Sequence, residues 1–522
     1  MLKLAIPSRP PITGWTWTNG RYVNVSSWIE PFTHSSLEHF AATDAESIYF
    51  CVRERNPRKN SVFPSPGDVE LLESSMYRIS LDAMREWPLD FTLVEINRAG
   101  AQVSTGAWGS APVYLSDIDG TLYGSWLLPD LAQRRGVDGL VDREVCRFLA
   151  LRHRYGCETV FSGVYRPTER AQAKLTSTGL SITYPTAALH ARPRTLRSGA
   201  AVLDYYEGLL AQAVQAREYT PEQIVVELSG GLDSANVAMT VASLYPSRCS
   251  SYALMLDGPA GQQQTNRRQV LVHRCGFRDL RVAAIEHPPF HPDGRRTRGL
   301  PVSPYDEPYS EAFESLLAVA QRAGARVAMT GIGGDELVAP YAAEQEIPPA
   351  VAEARRPVPA WLGPRAKQAF VEVDTGTAPG AVLAESSLLA SACRAPAFLA
   401  AEIWPVSPLC SPNLIRFAES LPFEWRRDKF LHRERLARLG LAPEWIAPPL
   451  KENFSHVMEY GLRRYGLKIL ERLLRESILA DYGFIDIHKL ADAYRHMACG
   501  DKSKNAFFYA ALHLESSVRS AC

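Results

Sequence analysis

Two short stretches hold the residues able to handle an anion and a metal. The first, SGGLDS (229–234), stands where the apolar run IVVEL (224–228) hands over to the helix-forming run SANVAMTVASLY. Gly230 and Gly231 let the backbone approach an anion closely, and the first amides of a following helix supply unpaired donors and partial positive charge. Ser229 and Ser234 add hydroxyl donors, so the loop suits a phosphate group. The pattern G-x-x-x-x-G-K-[ST] is absent, which argues against a lysine-capped loop that transfers a terminal phosphate. Asp233 inside such a loop repels an anion unless a cation bridges the two, a task suited to Mg2+. The second stretch, TGIGGDEL (330–337), again ends an apolar run in glycines, Gly331, Gly333 and Gly334, before Asp335. Either loop alone also reads as a tight strand-to-helix turn. Two acids at two strand ends point together to the metal-bound triphosphate of ATP.

The elements that must position these loops follow from periodicity. From 224 onward, apolar runs (IVVEL, SYALML, LRVAAI, RVAMTG) alternate with helical patterns (SANVAMTVASLY, YSEAFESLLAVAQRAG). That alternation predicts an α/β domain whose parallel sheet carries helices on its faces. After about residue 385 the chain reads as mostly helical. Before it, residues 1 to about 180 alternate short apolar runs with turn residues (SIYFCVRE, DFTLVEINRAG, APVYLSDIDGTLYGSW), a strand-rich pattern with a few helices, one of them predicted over DREVCRFLALRHRYG. The polar, Pro-containing passage 184–199 separates the halves. The chain therefore divides into residues 1–190 and 200–522.

Composition sets wider bounds. Lys plus Arg and Asp plus Glu both count 57, so no overall field draws the chain to nucleic acid or an anionic membrane. Nine scattered cysteines, none in a C-x-x-C pair, argue against a disulfide framework or a structural zinc site and predict a reducing, cytoplasmic home. No run of about eighteen apolar residues occurs, and prolines break the first apolar stretch before a signal core forms.

SGGLDS followed by TGIGGDEL resembles the synthetase domain of the asparagine synthetase family, which includes β-lactam synthetases and the cyclases that close lasso peptides. The likeness runs over roughly 200–522. SPYDEPYSEAF (303–313) resembles the family's acidic-proline segment, SPLCSPNLIRFAESLPFEWRRDKFLHRERL (407–436) its region with a downstream Lys429 and Arg433, and PPLKENF (448–454) places Lys451 where the family has an active-site lysine. The resemblance implies an N-terminal α+β Ntn-hydrolase-like domain and a C-terminal PP-loop ATP pyrophosphatase domain of the adenine nucleotide α-hydrolase-like kind, with a helical C-terminal part. It also implies activation of a carboxylate on the α-phosphate of ATP, followed by attack of an amine. On that reading Leu228, Ser229, Gly230, Gly231, Leu232, Asp233, Ser234, Leu254, Gly331, Gly333 and Gly334 bind ATP and pyrophosphate, and Asp233 and Asp335 hold Mg2+. Lys429 and Lys451 stabilise developing charge. For both lysines the plain alternative is a solvated surface side chain.

The chain departs from the family twice. Glutamine-using members begin with a cysteine, whereas Leu2 follows Met1 here and the first cysteine is Cys51, within a predicted strand. The N-terminal domain is therefore expected to be degenerate and to release no ammonia, leaving the substrate to supply the amine. At 332, where β-lactam synthetases carry tyrosine and asparagine synthetases glutamate, stands Ile332, which takes no proton. Tyr305, Glu307 and Glu336 are the candidates for a base. A loop turn before Pro308 and a charge at a helix start are the plain readings of the two glutamates.

Other signals carry less. DIDGT (117–121) matches a phosphatase nucleophile motif, but its flanks alternate like a hairpin with DIDG as the turn. His287 and His291 are four apart, yet Pro288 and Pro289 forbid the helix that would align them on a metal. DGRRTRG (293–299) reads as a solvated basic loop. The leading expectation is an AMP-forming ligase acting on a small molecule or peptide with a carboxylate and an amine, closing a lasso macrolactam or a lactam. Ligation of two separate molecules, sulfur transfer to tRNA and a non-catalytic ATP-binding protein are its rivals. No nucleic acid or membrane partner is expected, and a homodimer or a partner protease is left open.

Overall fold

The structure is a computed structural model that describes residues 1–57, 67–136, 139–345, 357–498 and 504–522. Cys499, one of the nine cysteines, lies outside them. Its N-terminal half opens with strands β1 (Leu2–Pro7), β2 (Thr16–Thr18), β3 (Arg21–Asn24), β4 (Ser27–Pro31), β5 (Leu37–Thr43), β6 (Ser47–Glu54) and β7 (Val69–Leu71). Helix α1 (Ser74–Arg85), β8 (Phe91–Asn97), β9 (Gly100–Thr105), β10 (Tyr114–Ile118) and β11 (Thr121–Ser125) follow. Helices α2 (Leu128–Arg135) and α3 (Asp142–Leu149) precede β12 (Val164–Tyr165), β13 (Gln172–Thr176) and β14 (Gly179–Thr183). These strands form two seven-stranded sheets, ordered β12-β10-β11-β1-β4-β3-β2 and β14-β13-β9-β8-β6-β5-β7.

Period-two patterning explains how the layers stack. On β6, Ile48, Phe50 and Val52 join the core shared with Leu2, Leu4 and Ile6 of β1, while Tyr49 and Cys51 pack with Tyr77, Leu81 and Met84 of α1. One face of the second sheet thus meets the first sheet and the other meets a helix. The outer face of the first sheet is covered too. Tyr114 packs there with Leu128 and Leu131 of α2, Phe148 of α3, and Phe508 and Leu512 of the C-terminal helix Asn505–Ala521. The DIDG turn is as expected: β10 and β11 pair antiparallel around Asp119 and Gly120, with φ of 52° and 73°, values that fit a tight two-residue hairpin.

Residues 184–201 carry no helix or strand. Beyond them come α4 (Val202–Val214), β15 (Ile224–Glu227), α5 (Leu232–Leu244), β16 (Ser250–Met255), α6 (Gly258–Cys275), β17 (Arg278–Ala283), α7 (Ser310–Arg322), β18 (Val327–Met329), the short α8 (Gly334–Leu337) and β19 (Trp404–Val406). The five strands form one parallel sheet, ordered β17-β16-β15-β18-β19. Ile224 and Val226 face the core shared with α5, and Val225 faces the opposite core with Phe313 and Leu316 of α7, so both faces of the sheet are buried.

The two halves are locked by buried charge. Glu54, at the end of β6, takes both Nε and Nη2 of Arg217 at 2.6 and 2.7 Å and the Trp404 indole N–H at 2.8 Å. Its Oε2 also accepts from the Asp90 amide at 2.9 Å.

The structure departs from the sequence reading in two of its elements. The helix expected over 142–156 stops at Leu149, because Leu151 turns left-handed at φ 53° while its amide reaches Phe148 O and the Arg152 amide reaches Arg147 O. That is a Schellman-type end with leucine in the place glycine usually takes. The region after 385 also contains a strand, β19, whose Pro405 disguises it. Proline is tolerated there because β19 is an edge strand.

Candidate active site

The chain leaves β15 for β16 on one side of the sheet and β18 for β19 on the other, so the carboxyl ends of β15 and β18 flank a topological switch point. Ligands bind at such crevices in open parallel sheets. SGGLDS follows β15 and TGIGGDEL follows β18. Gly231 caps α5, Ser229 Oγ lies 3.1 Å from Ser234 Oγ, and Ser234 Oγ donates to Gly231 O at 3.2 Å. The two loops touch. A Cβ on Gly334 would fall 2.4 Å from Asp233 Cβ, and one on Gly331 would fall 3.1 Å from Ser234 N. Glycine at 331 and 334 is what this close approach requires.

Lys429 joins the two acids. Its Nζ lies 2.7 Å from Asp233 Oδ2 and 2.5 Å from Asp335 Oδ1. Asp428 and Lys429 both turn left-handed, at φ 53° and 58°, just before the helix Phe430–Arg438. Non-glycine residues hold such a shape only where surrounding contacts fix it. Burial alone would lower the Lys429 pKa, but the two carboxylates outweigh it and raise it above the ordinary value, so the ammonium stays charged. Arg433 serves a different purpose: its Nε and Nη1 donate to the carbonyls of Asp428 and Ile446, fixing that turn.

Asp233 Oδ1 is buried and has no hydrogen-bond partner. His432 stands 3.7 Å away with Nε2, but burial keeps its pKa below the usual value, and as a neutral ring it donates Nε2–H to Gly334 O at 3.0 Å while Nδ1 accepts from Tyr206 OH at 2.8 Å. An unpartnered carboxylate oxygen beside a second, exposed carboxylate fits Mg2+, which takes one or two carboxylates and completes its shell with phosphate oxygens and water. Among the described residues no group of three His, Cys, Asp or Glu forms a metal cluster, His287 and His291 included.

Leu228 and Leu232 are buried at the loop's two ends and Leu254 is half-buried at the end of β16. Gln264 of α6, not evident in its polar run GQQQTNRRQ, ties these parts together. Its Nε2 donates to Ser229 O and Leu254 O at 2.9 and 3.1 Å, and its Oε1 accepts from the Leu256 amide. The Lys451 segment is anchored on the same helix: Leu450 N and O bond Gln263, and Glu452 pairs with Arg267 at 2.9 Å. Glu452 Oε2 lies 3.3 Å from where a Gly230 Cβ would stand. Lys451 itself is exposed beside this loop.

Of the remaining candidates, Tyr305 and Glu307 sit away from these loops. Tyr305 is half-buried on the wall of a cavity of about 970 Å³ that Asp306, Tyr309, Cys393, His456 and Arg166 also line. Its oxygen accepts from the Val160 amide at 3.0 Å, and burial pushes the phenol far above its usual pKa, so it stays protonated at neutral pH. Glu307 meets Arg394 Nε at 3.3 Å, in a cluster with Glu227. Glu336 accepts from Ser386 Oγ at 2.6 Å, and Ile332 packs with Leu383 and Cys410. No contact among the described residues joins Tyr305 or Glu307 to Lys429 or to either aspartate. The expected solvated basic loop is corrected at Arg296, which is 3% exposed, pairs with Glu311 and donates to Tyr509 OH at 2.6 Å. A buried carboxylate partner, Glu311, made that burial affordable.

Residues 206–377 match the asparagine synthase family. That segment holds α5, both glycine loops and both aspartates, and the match supports an ATP-dependent ligase. No curated protein matches the chain. Among solved structures, glutamine phosphoribosylpyrophosphate (PRPP) amidotransferase from B. subtilis, complexed with ADP and GMP, aligns over 71% of this chain and 79% of its own, with 11% identity and a TM-score of 0.19. A likeness at that level carries no weight for fold or function. No described helix is long and apolar enough to cross a membrane.

Proposed function

We propose that the protein is an AMP-forming amide synthetase with a PP-loop-type ATP site, in which a substrate amine attacks an adenylated carboxylate without glutamine hydrolysis. The observation that carries this reading is the convergence of Asp233, Asp335 and Lys429 at the switch point, beside a loop of phosphate-binding character. Ser229, Ser234 and the first amides of α5 hold the phosphates. Mg2+ held by Asp233 and Asp335 would neutralise phosphate charge and polarise the phosphoryl oxygens. Lys429 then offsets the charge that builds on pyrophosphate as a carboxylate oxygen bonds to the α-phosphorus. In the second step the amine nitrogen bonds to the acyl carbon and sheds its proton to solvent, the bond from that carbon to the AMP phosphate oxygen breaks, and Lys451 stabilises the oxyanion formed in between.

An N-terminal domain that makes no ammonia is supported by its first cysteine. Cys51 is 1% exposed and burial pushes its thiol up to about 12, so it offers no thiolate. The substrate therefore brings its own amine, and intramolecular closure of a peptide or small molecule to a macrolactam or lactam suits the large cavity. Joining two separate molecules uses the same site. The protein incubated with ATP, Mg2+ and a small-molecule and peptide extract should release AMP and pyrophosphate in equal amounts, with a product lighter by one water. ATP bound without AMP release in any fraction would instead mark a non-catalytic nucleotide-binding protein.

A further inference from the structure

The large cavity is walled partly by the N-terminal domain, through Phe148, Leu151, His153 and Arg166, and partly by Leu389, Met458 and other residues of the C-terminal half. Most of that wall is apolar, which makes Arg166 conspicuous. It follows β12, is only 7% exposed, and its guanidinium lies over the rings of Tyr155 and Tyr305 at 5.3 and 5.8 Å, with the Tyr114 hydroxyl as a further neighbour. Its Nε is buried without a hydrogen-bond partner.

The nearby acids are engaged otherwise. Glu169 pairs with Arg170 through Oε1 at 3.2 Å, its Oε2 being buried without a partner, and Glu459 pairs with Arg463 at 3.0 Å. Asp306 accepts from the Ser303 amide at 2.9 Å, and burial raises its pKa. A buried guanidinium that aromatic faces hold and no carboxylate of the described residues pairs is stabilised most by an incoming anion, bound through short charge-assisted hydrogen bonds.

Resting on the synthetase reading above, we infer that Arg166 receives a carboxylate of the substrate other than the one that is activated. The reacting carboxylate must reach the α-phosphorus at the β15 and β18 loops, and clamping by a guanidinium would draw charge from the oxygen that has to attack. The carboxylate on Arg166 stays free through the reaction. The N-terminal domain thereby acts as a specificity wall for the part of the substrate that does not react.

The test uses N-octanoylglycine and its primary amide, which share an apolar tail and differ in one charge. Calorimetric titration of the full chain should show the acid bound at least about tenfold more tightly than the amide, since a buried guanidinium discriminates by charge. Arg166→Gln should bring that ratio near one, and Arg166→Lys, which keeps the charge, should restore part of it; unchanged circular dichroism of both variants shows that they fold. Equal affinities in the wild type, a preference that survives Arg166→Gln, or no binding of either compound overturns the inference. MgATP titrated into the same preparations separates the two claims. An Arg166-dependent acid preference without MgATP binding leaves this assignment standing and sinks the synthetase reading, and MgATP binding without an acid preference does the reverse.

Discussion

Lys429 Nζ and Asp233 Oδ2 lie 2.7 Å apart across 196 residues of sequence, and the same ammonium reaches Asp335. One cation therefore holds two strand-end loops in register before any ligand arrives. Replacing it in Lys429→Met should lower AMP formation about a hundred- to a thousand-fold, the loss typical of one donor aimed at developing charge. Because the two carboxylates raise its pKa above the ordinary lysine value, the ammonium stays protonated across the neutral range. A pH profile of AMP formation should therefore show no inflection from Lys429 between about pH 6 and 9.

Lys451 makes no ion pair with the aspartates and sits on a segment anchored to α6 through Leu450 and Glu452. Its assigned task is the second step alone. Lys451→Ala should slow amide formation about a hundred- to a thousand-fold while pyrophosphate exchange continues. Near-normal amide output from that variant would remove Lys451 from the mechanism.

The Glu54 to Arg217 pair is fully buried between the two halves. Glu54→Gln leaves a buried guanidinium without its counter-charge and should cost about 3 to 5 kcal/mol in chemical unfolding. The double variant Glu54→Gln, Arg217→Met should recover much of that loss, which a purely steric defect at position 54 would not allow.

Asp90 lies next to this pair, and burial, reinforced by the Glu54 charge, pushes its carboxyl up from 3.8 to about 6. A raised folded-state pKa means that the folded protein binds the proton more tightly. The stability this gives is full below about pH 4 and is lost as the pH rises through about 6. The swing is about 3 kcal/mol at 1.36 kcal/mol per unit. Urea unfolding of Asp90→Asn between pH 4 and 7 should lack that decline, and an unchanged slope would remove Asp90 as its source.

The sequence carried the parallel strands, both glycine loops and the hairpin at Asp119, because strand alternation and turn chemistry are local properties. What it hid was set by tertiary context. β19 is masked by Pro405, which only an edge position tolerates. Leu151 occupies a left-handed helix end that its type does not announce. Arg296 is buried because Glu311 and Tyr509 arrive from distant segments. The cavity around Arg166 is built from both halves of the chain, so no single stretch reveals it. Likewise Gln264 was indistinguishable from its polar neighbours until β15 and β16 were placed side by side.

The central claim is that Asp233 and Asp335 hold MgATP so that its α-phosphorus is attacked. Exchange of labelled pyrophosphate into ATP, driven by a carboxylate-containing extract, tests it most directly. The account predicts Mg2+-dependent exchange in the wild type and a loss of about a hundredfold or more in Asp233→Asn and Asp335→Asn. Exchange that is indifferent to both substitutions, or cleavage that yields ADP and phosphate in place of AMP and pyrophosphate, would contradict it.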